Sequence, residues 1–212
     1  MKYIIMCGGQ YYQNPPRQLL IVNGERIVSR TIRLLQENGV TDIAISSNDE
    51  MFEGLGVPVI HHNNRFDVAR YHCTWIDAFY PTQEPACYIM GDVYFSEQAI
   101  KEIVETETNT IEFFASAPPF AREYIKVWGE PFAFKVQDQE MFQRCIRIVK
   151  EYYIKNKWNR EPIAWELWQV IKGTKLNEVD YTNYHAINDY TVDVDNLSIA
   201  CRLEEILRNH AV

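Results

Sequence analysis

Apolar and polar positions switch between two periods along the first half of the chain. Lys2 to Cys7 is a short apolar run that stops at Gly8-Gly9, the pattern of a strand buried on both faces. A polar loop with Pro15-Pro16 follows, and then Ile27, Val28, Thr31, Ile32 and Leu35 recur on one helical face, with Gly39 where a helix C-cap would fall. The order is strand, glycine loop, helix. Further strands are predicted at Asp42 to Ser46, near Val57 to His61 and at Ala86 to Met90, the last running into Gly91-Asp92. A loop at Ser47-Asn48-Asp49 and a helix over Ala69 to Phe79 separate them. Ser96 is placed to cap a helix over Glu97 to Glu105 that turns Ile100, Ile103 and Val104 inward.

The second half is less regular. Strands are predicted at Ile111 to Ala115, Tyr124 to Val127 and Phe132 to Val136, and helices from Gln139 to about Ile154 and around Pro162 to Ile171. Pro162 suits a first helical turn, where its missing N–H costs nothing. Tyr190 to Val194 reads as a late strand, and Leu197, Ala200, Leu203, Ile206 and Leu207 mark an amphipathic last helix. Alternating strand and helix signals predict an α/β sheet with helices on its faces. With 212 residues and no linker, repeat or low-complexity tract, one domain over 1–212 is expected.

Composition narrows the function classes. A formal charge of −8 argues against a nonspecific grip on nucleic acid, which needs many cations facing phosphates. It leaves room for small anions, since a few amides and one or two basic side chains bind a phosphate locally. Five cysteines without a CxxC pair argue against a disulfide framework or a zinc site and fit the reducing cytoplasm. The apolar opening run is too short for a signal peptide, and no stretch reaches the roughly 18 apolar residues of a membrane span.

Three constellations carry candidate chemistry. Cys7-Gly8-Gly9-Gln10 follows the first strand, and Pro16-Arg17-Gln18-Leu19-Leu20 and Val22-Asn23-Gly24 come after it. Paired glycines let backbone amides approach phosphate, and a downstream cation offsets its charge; a tight structural turn is the plain alternative. Gly91-Asp92-Val93 sits past an apolar strand, where ligands bind in open α/β sheets and where Asp is a hard oxygen ligand for Mg²⁺. A turn or capping Asp is the alternative there. Asp193-Val194-Asp195 closes the late strand; strand alternation points both acids one way and invites a cation, although Asp195 or Asn196 could cap the next helix.

Taken in order, these segments resemble the MobA-like NTP transferase superfamily, and the resemblance spans nearly the whole chain. The matching positions are the strand with Gly-Gly, Pro-basic-Gln-Leu-Leu, Asn-Gly, Arg30-Thr31-Ile32, Gly39-Val40-Thr41-Asp42-Ile43, Gly91-Asp92-Val93 and the closing acid pair. Ile187-Asn188-Asp189-Tyr190-Thr191 and Trp165-Glu166-Leu167 look like the LicC-like cytidylyltransferase branch. The resemblance implies a Rossmann-like, mixed but mostly parallel sheet with helices on both faces, the nucleotide-diphosphosugar transferase fold. It implies an Mg²⁺-dependent transfer of a nucleotidyl group from an NTP, CTP favoured, to a small phosphorylated substrate, with use in surface polysaccharide synthesis. Phosphate binding would fall to Gly8, Gly9 and Gln10 beside Cys7, with Arg17 at the basic position, and metal binding to Asp92 with Asp193 or Asp195. Two departures stand out: the loop lacks the family's third Gly and its Arg, and Arg17 replaces the usual Lys, a planar fork in place of a point charge.

Other positions have competing uses. Asn48 and Asp49 could read a base or ribose edge, or form a solvated Asx turn. Lys126 and Lys135 could meet a substrate phosphate, or simply line a charged strand face. Trp165 and Glu166 could shape the substrate pocket, although Trp165 has helical spacing to Trp168 and so also suits a core. The histidines lack metal-ligand spacing. Two rival functions remain open: a glycosyltransferase using Asp193-Val194-Asp195 as its metal motif, and a noncatalytic nucleotide-binding protein, favoured by the altered glycine loop.

Overall fold

A computed structural model describes residues 1–8, 15–62, 73–117, 129–156, 161–176 and 180–210. The chain runs β1 (Lys2–Met6), a 3-10 turn (Arg17–Leu19), β2 (Ile21–Val22), β3 (Glu25–Arg26), α1 (Ile27–Glu37), β4 (Ile43–Ser46), a 3-10 turn (Glu50–Phe52), β5 (Val59–Ile60) and α2 (Thr74–Asp77). It continues through β6 (Ala86–Met90), β7 (Val93–Tyr94), α3 (Glu97–Glu105), β8 (Ile111–Ser116), β9 (Glu130–Val136), α4 (Gln139–Asn156), α5 (Ala164–Ile171), β10 (His185–Ala186), β11 (Val192–Asp193) and α6 (Leu197–His210). Seven strands form one sheet in the order β10-β8-β9-β6-β1-β4-β5. Only β9 runs against its neighbours β6 and β8; the other pairings are parallel. This is the mixed, mostly parallel α/β sheet expected from the sequence.

Helices cover both faces. Tyr88, Phe134 and Phe113 stand in register across β6, β9 and β8. Phe113 stacks on Phe134 at 4.4 Å between ring centroids, Tyr88 on Phe142 of α4 at 5.5 Å, and Trp165 of α5 meets Phe113 edge-on at 5.0 Å. One strand position on, Lys135 points through the opposite face to α3, which packs against α1. Alternation along one strand therefore feeds two helix layers. A second, smaller core of Leu20, Val22, Ile27, Tyr94, Val192, Val194, Ala200 and Leu203 joins the β2–β3 hairpin, β7, β11 and α6.

Several boundaries differ from expectation for local reasons. The helix ending at Phe79 is described only from Thr74 to Asp77; its expected first part and the Tyr124 to Val127 strand lie outside the described residues. Helix α5 begins at Ala164, because the Glu166 carboxylate reaches back to the Ile163 N–H at 3.0 Å, leaving Pro162 ahead of the cap. The late strand shrinks to Val192–Asp193, because Asp189 accepts from the Thr191 N–H at 2.7 Å in an Asx turn and also from the Ser96 hydroxyl at the start of α3. The Asn23-Gly24 pair, with φ of 52° and 78°, makes the two-residue β2–β3 hairpin.

Lys135 serves the packing of α3. It is buried, and Nζ donates to the carbonyls of Ile103, Val104 and Thr106 at 2.9, 2.8 and 2.7 Å, closing the C-terminus of α3. Burial holds its pKa below the ordinary lysine value. Lys135→Met leaves those carbonyls without their cation and is expected to cost about 2 kcal/mol. For a chain of this size that is a fall in Tm of about 4–8 °C, measurable by calorimetry.

Candidate active site

The register of three adjacent parallel strands brings remote segments to one edge. Met6 of β1 lies beside Ser46 of β4 and Met90 of β6. The Cys7 N–H donates to the Ser46 carbonyl at 2.9 Å and the Gly91 N–H to the Met6 carbonyl at 3.1 Å, so pairing continues past the strands. Gly8, Asn48 and Asp92 therefore share the carboxyl edge, the place where open α/β sheets bind ligands. Gly91 permits this approach: a Cβ there would lie 2.5 Å from the Met6 carbonyl oxygen and 2.6 Å from Cys7 Sγ.

Asp92 and the late acid pair meet through β7 and β11. These strands pair antiparallel, Asp193 opposite Val93, and the Val194 N–H donates to the Asp92 carbonyl at 2.9 Å. Arg17 lies across the acids. Its Nε is 2.8 Å from Asp92 Oδ2 and its Nη1 is 2.9 Å from Asp195 Oδ1. The 3-10 turn that carries it is anchored by the buried Gln18 and Leu19 and by Leu20 after it, while the guanidinium stays at the solvent side. Asp92 foremost, then Asp193 and Asp195, hold the Arg17 pKa above its ordinary value against the opposing pull of burial. Four residues from three segments thus form one electrostatic unit.

The remaining candidates divide by location. Cys7 is buried, and its thiol is pushed up by burial and then by the Asp92 charge, so it stays neutral and is no nucleophile. Asn48 Oδ1 accepts from the His62 N–H at 2.7 Å, and Asp49 Oδ1 accepts from the Met51 N–H at 2.8 Å, so both carbonyl-type oxygens serve the loop. Trp165 is 3% exposed, wedged edge-on against Tyr181 and Tyr184 at 4.7 and 5.4 Å and over Gly129. Glu166 is buried at the start of α5. Gly9, Gln10 and Lys126 lie outside the described residues.

Glu130, not singled out by the sequence patterns, is a buried carboxylate at the head of β9, opposite Ser116. Because β9 runs against β6, its head lies on the same edge as Asp92. A charged residue entering an apolar strand after Gly129 was the available signal.

Asp92 and Asp195 present hard oxygens to one positive centre, which Arg17 supplies here. That donor set suits Mg²⁺, which takes few protein carboxylates and completes its shell with phosphate and water. Among the described residues no three His, Cys, Asp or Glu side chains group closely enough to hold a metal ion by themselves. No described helix is long and apolar enough to cross a membrane.

No family model matches the sequence, and no curated protein matches it. Solved structures do match its shape. The CTP:phosphocholine cytidylyltransferase LicC from Streptococcus pneumoniae superposes with a TM-score of 0.54 at 15% identity, over 97% of this chain and 98% of that one. A CMP:2-keto-3-deoxy-manno-octonic acid synthetase complexed with CTP gives 0.57 at 11% identity, over 98% of each chain. HddC from Yersinia pseudotuberculosis gives 0.53 at 11%, over 97% of this chain and 99% of that one. The chain has the nucleotidyltransferase fold. At such identities the likeness shows the fold alone.

Proposed function

We propose that the chain is a nucleotidyltransferase of the MobA-like superfamily, coupling an NTP to a small phosphorylated substrate with release of pyrophosphate. The observation that carries this reading is the convergence of Arg17, Asp92 and Asp195 at the carboxyl edge of β1 and β6. CTP is the favoured nucleotide, since LicC is described as a CTP-dependent cytidylyltransferase and the octonic acid synthetase is complexed with CTP. A role in making activated precursors for surface polysaccharide is the use we favour.

The chemistry asks little of the protein beyond placement. A substrate phosphate is already an oxyanion, so its oxygen forms the new bond to the α-phosphorus without a general base. The bond from that phosphorus to the oxygen bridging it to the β-phosphate breaks, and pyrophosphate leaves with the electron pair. Asp92 and Asp195 would hold Mg²⁺ together with phosphate oxygens and water, and the ion would supply neutralisation of charge on the phosphates. Arg17 orients and neutralises the departing pyrophosphate with its planar fork. The backbone at Gly8, free of a side chain, lets the triphosphate lie close to the sheet edge. We place the acceptor on the β8–β9 side of the same edge, with the buried Trp165 and Glu130 in the wall behind it.

The test is pyrophosphate release with Mg²⁺, crossing four NTPs against phosphorylated alcohols, amides and sugars. Release with CTP and one acceptor class is the expected result. NTP binding with no release across the panel would replace this reading with a noncatalytic nucleotide-binding protein.

A further inference from the structure

Two kinds of cation have a claim on the same carboxylates. Arg17 spans Asp92 and Asp195 through separate nitrogens at 2.8 and 2.9 Å, and Asp193, two positions before Asp195, adds its charge. Acids gathered this closely repel one another unless a positive group lies among them. A guanidinium seated there blocks the approach of a divalent ion to the same oxygens. The Arg17 side chain is 43% exposed against 18% for Asp92, so it lies outermost and can leave without opening the core. Its turn stays anchored through Gln18, Leu19 and Leu20. A triphosphate arriving at Gly8 offers the guanidinium a second set of anionic oxygens.

We propose that Arg17 is an exchangeable counter-ion that keeps the divalent cation's place until a nucleoside triphosphate draws it away. The proposal rests on the reading that this site takes an NTP with a divalent cation. Metal alone then binds weakly, because it must displace the guanidinium. Metal with nucleotide binds well, because the displaced guanidinium gains phosphate contacts. By linkage, nucleotide tightens metal binding by the same factor as metal tightens nucleotide binding. Loss of the guanidinium therefore has an unusual sign: removing a partner from the acids improves their affinity for metal.

The experiment is calorimetric titration of the full chain with Mn²⁺ in the absence of nucleotide, comparing wild type, Arg17→Lys and Arg17→Gln. Arg17→Gln is expected to bind Mn²⁺ about tenfold more tightly than wild type, within the usual range of coupling between sites, with Arg17→Lys nearer wild type. Arg17→Gln should also melt lower than wild type and recover on adding Mn²⁺, but not on adding Na⁺ at equal ionic strength. Equal or weaker Mn²⁺ binding by folded Arg17→Gln overturns the proposal. So does failure of Mn²⁺ to restore the folded signal if that variant is unfolded without metal. Neither readout needs turnover. Tighter Mn²⁺ binding by Arg17→Gln with no pyrophosphate release by the wild type would count against the transferase alone, and release by the wild type with unaltered Mn²⁺ binding by the variant would count against the exchange alone.

Discussion

Asp92→Asn is expected to lower pyrophosphate release by about 10³-fold, the scale seen when one preorganised electrostatic group is removed from a site. The amide keeps the size of the side chain but not its charge, so Arg17 loses its strongest partner and the carboxylate set loses the member nearest the sheet. Folding should survive. The strand contact at this position uses the Asp92 carbonyl, which accepts from the Val194 N–H, and the side chain lies outside both cores. Thermal melts of the variant should therefore stay near wild type while the rate collapses. The comparison variant is Asp42→Asn, whose exposed carboxylate pairs with Lys2 at 3.4 Å on the surface. Equal losses from both variants would sink the assignment of the site.

The largest effect on stability is expected from Gly91→Ala. The added Cβ would sit 2.5 Å from a backbone oxygen and 2.6 Å from a fully buried sulfur. Neither is the loose end of a flexible side chain, so the ends of β1 and β6 must part. A cost of about 3 kcal/mol is expected from such overpacking, a drop in Tm of about 6–12 °C. Asp92 follows Gly91 directly, so the same shift should move the carboxylate off Arg17 and lower activity beyond the stability loss. Gly24→Ala is the contrast. It carries strain from its φ of 78° but meets nothing within 4 Å, so about 1 kcal/mol is expected, with the site intact. A melt of Gly91→Ala equal to that of Gly24→Ala would show that the strands yield more easily than the contacts imply.

The unusual Arg in place of Lys gains a reason from this geometry. A lysine ammonium is a point charge and would favour one carboxylate, whereas the guanidinium reaches Asp92 and Asp195 from different nitrogens. The segment Ile187 to Thr191 gains one as well. Asp189 and Thr191 tie the late strand to the start of α3, with the Ser96 N–H donating to the Thr191 hydroxyl at 3.1 Å. These residues fasten the acid pair to α3. Glu166, similarly, is accounted for as the group that sets the start of α5.

Much of the architecture was legible from the chain alone, because a segment's hydrophobic period reports its own burial. Ala86–Met90 and Glu97–Glu105 fall where the pattern and the Ser96 cap place them, since both signals are local. The two-residue strands β7 and β10 were not legible: two residues carry no period, and they pair only because a small core or the sheet edge is presented to them. Lys135 shows the same limit, as its burial is repaid by carbonyls 29 to 32 positions away. By itself, then, the sequence determined the order of the longer strands and helices and supplied acids and a cation of the right kind. Only the tertiary structure decided that Arg17 and Asp195, 178 positions apart, share one ion pair with Asp92. The physical reason is that such a contact depends on strand order, register and a second core, none of which has a signature in neighbouring residues.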